Sequence, residues 1–270
     1  MQIYYINLAA RTDRRKRMEA RFNRLGLVAE RVEALTPAAI TEEQKARFGN
    51  FKAYRWLTEG ELACSLSHQA AMRQFLATGS RFAAIFEDDV ILSASLGKLL
   101  DDFERHHLGV DLLRIEADNV RLRLAPQPEH VFPGFAVFKL HASVAGSAGY
   151  IISRNGAQRI SASEDILRNP ADEAMFNPRQ SISKSLVVRQ LDPALILQED
   201  RTELSDSDRA GSDLETFRRE RSLLDSQNFW RRTGHNIRDF VRRDIVMAGR
   251  NLWAQQFYGV RKRVIPFRKD

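Results

Sequence analysis

The residues best placed to do chemistry are three consecutive carboxylates, Glu87-Asp88-Asp89. They follow the apolar run Ala83-Ala84-Ile85-Phe86 and precede a second run, Val90-Ile91-Leu92. A short apolar, partly β-branched run reads as a buried strand. Side chains alternate along a strand, so Glu87 and Asp89 are expected on one face. Three carboxylates at the end of a buried strand repel one another and lose hydration, which calls for a counter-charge. A divalent cation carrying a phosphate would supply it. The alternative is that Asp88 and Asp89 open a solvated loop.

Three other places carry reactive side chains. The stretch Ile3–Leu8 reads as a first strand, followed by Arg11, Arg14, Arg15, Lys16, Arg17, Arg21 and Arg24 on a helical pattern with Met18, Phe22 and Leu25 as its apolar face. A helix N-terminus and arginine forks both bind phosphate oxygens. Asn7 and Arg14, nearest the strand end, are the candidates, and the remaining arginines read as a solvated face. Cys64 stands four residues before His68 and could act as a nucleophile; a buried structural thiol in an apolar helix is the competing reading. Asp172, after Asn169-Pro170-Ala171, is a candidate general base or second metal ligand, with Glu173 as runner-up. An N-cap aspartate after Pro170 is the alternative. His106-His107 lie in a charged stretch and read as surface residues.

Other chemistries are absent from the sequence. No Gly-x-Gly occurs, so neither a dinucleotide fingerprint nor a kinase glycine loop is present. There is no Walker lysine motif and no Gly-x-Ser-x-Gly elbow. One cysteine permits no disulfide within the chain and no cysteine-based zinc cluster. What survives is a sugar-nucleotide site, in which a metal would bridge two phosphates of the departing diphosphate and a carboxylate would take the acceptor's proton.

The elements that must position these groups alternate between strand and helix, which argues for an α/β fold with a mostly parallel sheet flanked by helices. Further strands are expected at Arg31–Leu35, Val110–Ile115, Ala136–Leu140, Ala148–Ile152, Leu186–Val188 and Ala194–Leu197. Helices are expected after Gly60, ending near Gly79, and from Leu96 and Asn155. Residues 120–134, with Pro126, Pro128 and Pro133, read as loop. The 270 residues are 43% hydrophobic and 29% charged, a soluble globular balance with no membrane-spanning run. The first residues lack the features of a signal peptide, and a cytoplasmic location is expected.

The net charge of +7 is concentrated at the end: Arg231–Asp270 holds 11 Lys/Arg against three Asp/Glu. Trp230, Ile237, Val241, Ile245, Ala248 and Leu252 recur at helical spacing, giving a basic amphipathic helical tail over 211–270 after a catalytic domain at 1–210. Docking on the domain, lying on an anionic membrane surface, and binding nucleic acid all fit such a segment. Nucleic acid is set aside as partner because the body shows no interleaving of basic and aromatic residues. Anionic headgroups would attract the tail by roughly 1 kcal/mol per basic side chain near the surface.

Taken in order, Tyr5-Ile6-Asn7-Leu8 with Asp13-Arg14-Arg15, Gly60-Glu61 with Cys64 and Ser67-His68, Ile85–Val90, Gly149–Ser153 with Gly156-Ala157, Pro170-Ala171-Asp172 and Gln198 resemble glycosyltransferase family 25, the lipopolysaccharide and lipooligosaccharide galactosyltransferases. The resemblance implies a GT-A-like, Rossmann-type fold. It also implies a Mn²⁺-dependent (or other divalent-cation) inverting transfer, typically of galactose from UDP-galactose to a saccharide or lipid-linked saccharide acceptor in envelope glycan synthesis, at the inner face of the membrane. Carried over, Asn7, Arg14, Glu61, His68, Glu87 and Asp88 would serve the donor, Asp89 the metal, and Asp172 or Glu173 the proton. Tyr150 and Gln198 would belong to the same site. Met72 and Phe75 stand where the family often has Trp, and Glu173 where it often has an aromatic, so sugar recognition is the point of departure. A catalytically inactive sugar-nucleotide or glycan-binding scaffold is the alternative.

Overall fold

A computed structural model describes residues 1–49, 57–106, 108–201, 255, 256 and 258–269. In chain order the first half comprises β1 (Gln2–Asn7), α1 (Thr12–Arg24), β2 (Glu30–Glu33), α2 (Glu42–Phe48), α3 (Glu59–Leu76), β3 (Phe82–Glu87), β4 (Val90–Leu92), α4 (Leu96–His106) and β5 (Leu112–Arg114). There follow β6 (Asp118–Leu124), β7 (His130–Phe132), β8 (Phe135–Lys139), β9 (Gly149–Ser153), α5 (Arg154–Ala162), α6 (Asp165–Arg168), α7 (Ala171–Phe176), α8 (Ser181–Lys184), β10 (Val188–Asp192), β11 (Ile196–Gln198) and β12 (Arg261–Ile265).

Alternation in β1 shows how the layers form. Ile3 and Tyr5 enter one core with Met18 and Phe22 of α1 and Leu96, Leu99 and Phe103 of α4. Tyr4 and Ile6 enter the other, with Leu62, Leu66 and Phe75 of α3 and Ala157 and Ile160 of α5. Both faces of the sheet are therefore covered, which is why its central strands read as continuous apolar runs.

The main sheet has the order β2-β1-β3-β9-β5-β10-β8-β7. The pairings β1–β2, β1–β3 and β5–β10 are parallel, while β9 is antiparallel to both neighbours and β8 to both of its own. The expected mostly parallel sheet thus holds by direction: β9 and β8 run against the other six strands. From β1 the chain goes to β2 on one side, then returns to β3 on the other. This reversal opens a crevice beyond the carboxyl ends of β1 and β3, where ligands of open α/β sheets bind.

Several expectations need correction. Residues 120–134 are not all loop: β6 and β7 lie there, and Pro126, Pro128 and Pro133 occupy turns between strands, where a missing N–H is harmless. Gly79 does not cap α3, which ends at Ala77 in ordinary helical geometry. The acidic run does not continue a strand: β3 stops at Glu87, and β4 joins β11 in a separate two-stranded sheet, so Asp88 and Asp89 form a turn.

At the far end, Arg261–Ile265 is not helical. It forms β12, antiparallel to β6, with Ile265 buried in the same core as Leu122 and Leu124. Arg263 stacks on Phe138 and donates to Asp192 Oδ2 at 2.8 Å. β-branched Val264-Ile265 and alternating burial suit a strand. The predicted helix around Trp230–Leu252 lies outside the described residues. Among the described residues no helix is long and apolar enough to cross a membrane.

Candidate active site

Parallel pairing places Ile6 opposite Glu87, so Asn7 and the acidic turn emerge side by side. Arg14 occupies the buried stripe of α1 one turn before Met18, and its side chain reaches this turn. The Arg14 guanidinium donates to Asp88 Oδ1 at 2.8 Å and lies 3.5 Å from Asp89 Oδ2. Asn7 Nδ2 donates to the other Asp88 oxygen at 2.7 Å and to Arg11 O at 3.1 Å. Asp88 is only 7% exposed, and burial pushes its carboxyl above the usual value although Arg14 and Asn7 pull the other way.

Asp89 is placed differently. Its Oδ1 is buried without a hydrogen-bond partner. Burial first, then the neighbouring charge of Glu87, pushes its pKa up to about 8 against the opposing pull of Arg14. Glu199 N donates to Asp89 O at 2.8 Å, and Arg21 links the same turn to Glu199 by donating to Val90 O at 2.8 Å and Glu199 Oε1 at 2.6 Å. A buried carboxylate oxygen with no partner, in an anionic surrounding, is a fit position for a divalent cation.

Glu87 points to the opposite wall, formed by α3. Its Oε1 accepts from Ser147 Oγ at 3.0 Å and lies 3.4 Å from His68 Nε2. Although burial acts to raise it, the hydrogen bonds from His68 and Ser147 hold the Glu87 carboxyl below its ordinary value. His68 is fully buried, with Nδ1 3.0 Å from the Tyr150 hydroxyl. Ile6, Leu8, Leu35, Gly60, Ala63, Cys64 and Ser67 complete the cleft around Arg14, His68 and the three acids. Cys64, half-buried, lines it as well.

The other predicted residues sit around this cleft. Glu61 closes the capping box of α3, accepting from Thr58 N at 3.0 Å and Oγ1 at 3.1 Å. Asp172 Oδ2 accepts from Gly146 N at 2.9 Å and its Oδ1 from Glu173 N at 2.8 Å; Pro170, not Asp172, is the N-cap of α7. Glu173 Oε2 accepts from Ser143 Oγ at 2.7 Å. Both acids thus hold the segment that delivers Ser147 to the cleft. Gln198 ends β11 opposite Val90. His106 ends α4, its Nδ1 2.7 Å from Asp102 O, and does not line the cleft. His107 lies outside the described residues.

Sequence reasoning missed Ser147 and its support. Gly146 has φ +94°, and a Cβ there would come 2.5 Å from Glu116 Oε1. Glu116 is fully buried, accepts from Ala148 N at 3.0 Å and pairs with Arg114 at 3.4 Å. Arg114 in turn donates to Ala145 O at 2.8 Å. The glycine pair in Gly146-Ser147-Ala148-Gly149 was the available signal. Gly146→Ala is expected to cost about 2 kcal/mol through left-handed strain and collision with a carboxylate that cannot retreat. In thermal denaturation that loss would read as a drop of the order of 5 °C, and an unchanged midpoint would contradict the account of this loop.

A profile of the family described as Glycosyltransferase family 25 (LPS biosynthesis protein) matches residues 1–175, well over half the chain and every cleft side chain named above except Gln198 and Glu199. The chain belongs to glycosyltransferase family 25. This family 25 chain is a glycosyltransferase. It is 30% identical over 210 residues to the lacto-N-neotetraose biosynthesis glycosyltransferase LgtB of Neisseria gonorrhoeae, covering 74% of this chain and 75% of that protein. Procollagen galactosyltransferase 1-A of Xenopus laevis is 28% identical to the family 25 chain over 64% of its length and 30% of the relative's own. A solved glycosyltransferase involved in the glycosylation of the major capsid of PBCV-1 aligns over 75% of this chain and 93% of that one, at 12% identity and a TM-score of 0.43.

Proposed function

We propose that the chain is a GT-A-type, metal-dependent inverting transferase. It moves galactose from UDP-galactose to a saccharide or lipid-linked saccharide acceptor in lipopolysaccharide or related envelope glycan synthesis. The observation that carries this reading is the unpartnered buried oxygen of Asp89, set beside Arg14 at the carboxyl ends of β1 and β3. The names of the LgtB protein and the procollagen galactosyltransferase support the sugar and the pathway class.

Asp89 would hold the divalent cation, Mn²⁺ or a relative, and the ion when bound would neutralise charge on the departing diphosphate. Arg14 and Asn7 fix Asp88 and with it the backbone of the acidic turn. His68 and Ser147 orient Glu87 toward the donor pocket. Tyr150 sets the imidazole from behind. Glu61 keeps the start of α3, and so Gly60, in place on the cleft wall. Gln198 leads directly into the Glu199 bond to the Asp89 backbone. The domain works in the cytoplasm, with the basic tail over 211–270 meeting an anionic membrane surface. Cosedimentation with anionic vesicles, weakened when Arg238, Arg242 and Arg243 are changed to Glu, tests the membrane part.

The decisive assay is UDP release from UDP-galactose and rival donors, with Mn²⁺ or EDTA, with and without a saccharide acceptor. Acceptor-stimulated release that stops in EDTA is expected; release from no donor would favour the inactive scaffold instead. Asp172→Asn separates two roles for that residue. A base would lower kcat about 10²–10⁴-fold with donor affinity intact. A strut for Gly146 would instead raise donor KM and lower the melting temperature while kcat falls less than tenfold, roughly the scale of one lost hydrogen bond.

A further inference from the structure

One wall of the cleft gathers three side chains with metal-binding atoms, and one of them, Cys64, has no part in the proposed sugar transfer. Cys64 and His68 lie four residues apart on α3, hence on one face of the helix. Glu87, at the end of β3, faces them. A sulfur, an imidazole nitrogen and a carboxylate oxygen of these three residues lie within 4.8 Å of one another. The imidazole is held as metal-bound imidazoles are held: Nδ1 is engaged by the Tyr150 hydroxyl at 3.0 Å, and Nε2 is turned toward Glu87. Both rings are fully buried, so neither swings away. Ser147 fixes the carboxylate from its other side.

The donor set decides which ion fits. Mn²⁺ and Mg²⁺ favour all-oxygen surroundings such as Asp89, whereas a thiolate with an imidazole favours a softer ion of the zinc class. Three protein ligands with a side open to the cleft match a four-coordinate zinc site completed by water. A single cysteine excludes a cluster of several thiolates but not this mixed set. A dication also balances one thiolate and one carboxylate, the thiol proton leaving to solvent on binding.

We propose that Cys64, His68 and Glu87 form a binding site for a thiophilic divalent cation such as Zn²⁺, separate from the oxygen ligand Asp89. An ion there occupies the wall of the donor cleft and blocks transfer. The blocking rests on the proposed function; the binding does not.

The test is titration of the reduced, metal-free full chain with Co²⁺ in the absence of nucleotide. One equivalent should give the visible bands of a four-coordinate ion and a thiolate-to-cobalt charge-transfer band, both removed by Zn²⁺. Because Cys64 is the chain's one cysteine, that band identifies its sulfur directly. Cys64→Ser should lose it, and Asp89→Asn should keep it. Tyr150→Phe, which preserves the ring, should weaken Zn²⁺ binding by about 10–100-fold. No charge-transfer band in the parent chain, its loss in a folded Asp89→Asn variant, or unchanged Zn²⁺ affinity in folded His68→Gln would each overturn the site. In the transfer assay, Zn²⁺ should inhibit the parent chain and spare Cys64→Ser, each relative to its own zinc-free rate. Zn²⁺ binding without inhibition would overturn the blocking. A chain that binds Co²⁺ through sulfur but releases UDP from no donor would uphold the site and sink the transferase reading.

Discussion

Asp89→Asn is expected to lower metal-supported sugar transfer by about 10²–10³-fold, the scale of losing one electrostatic contact to a developing charge. The same change should abolish stabilisation by Mn²⁺, and the pH dependence of that stabilisation is the sharper readout. Burial and the charge of Glu87 put the Asp89 pKa at about 8 in the folded chain, against about 3.9 when unfolded. Between these values the folded state holds a proton that the unfolded state has released. The metal-free fold therefore loses stability as pH rises from about 4 to about 8, and the loss is complete above the folded value. A cation takes the place of that proton, so the Mn²⁺-induced rise in melting temperature should grow from pH 6 to pH 8 and then level off. In Asp89→Asn the metal-free profile should flatten and the Mn²⁺ effect vanish. A Mn²⁺ shift of equal size in both proteins would place the metal elsewhere.

The second large effect is expected at Arg14. Its side chain is 5% exposed and serves both Asp88 and Asp89. Removing one partner of a buried ion pair leaves the other charge without compensation, at a cost of about 3–5 kcal/mol. Arg14→Met should lose stability of that order at pH 7 in urea denaturation. The deficit should shrink in acid, as Asp88 takes up the proton that Arg14 otherwise opposes. Adding Asp88→Asn to Arg14→Met should restore part of the loss, because it removes the stranded charge. A double variant that is additive would mean the two side chains do not act as a pair.

Much of this site was legible in the linear order of residues. An apolar run ending in three acids located the floor of the cleft. Arg14 was legible because it stands close to the end of the first strand, at the start of a helix able to meet phosphate. The details that escaped depend on distant pairings. Arg21 read as a solvated arginine, yet its partners are 69 and 178 residues away. Ser147 is marked locally only by the flanking glycines, since its place comes from Glu116, Arg114 and Asp172 acting on a glycine turn. Asp172 offered reactive chemistry at its position, but its visible hydrogen bonds are to backbone amides. Glu61 is the converse case: Thr58-x-x-Glu61 was a readable capping box, and the cap is where its carboxylate is found. β6 escaped because its partner, β12, arrives more than 130 residues later.

That late partner has a consequence for synthesis. As the nascent chain leaves the ribosome, β6 emerges long before Arg261–Ile265 can pair with it, and an unpaired strand edge is a template for wrong partners. During that interval Leu122 and Leu124 lack the neighbour that seals them. Proteins stopped short of residue 261 should therefore be prone to clump, even though the residues that line the cleft are already complete.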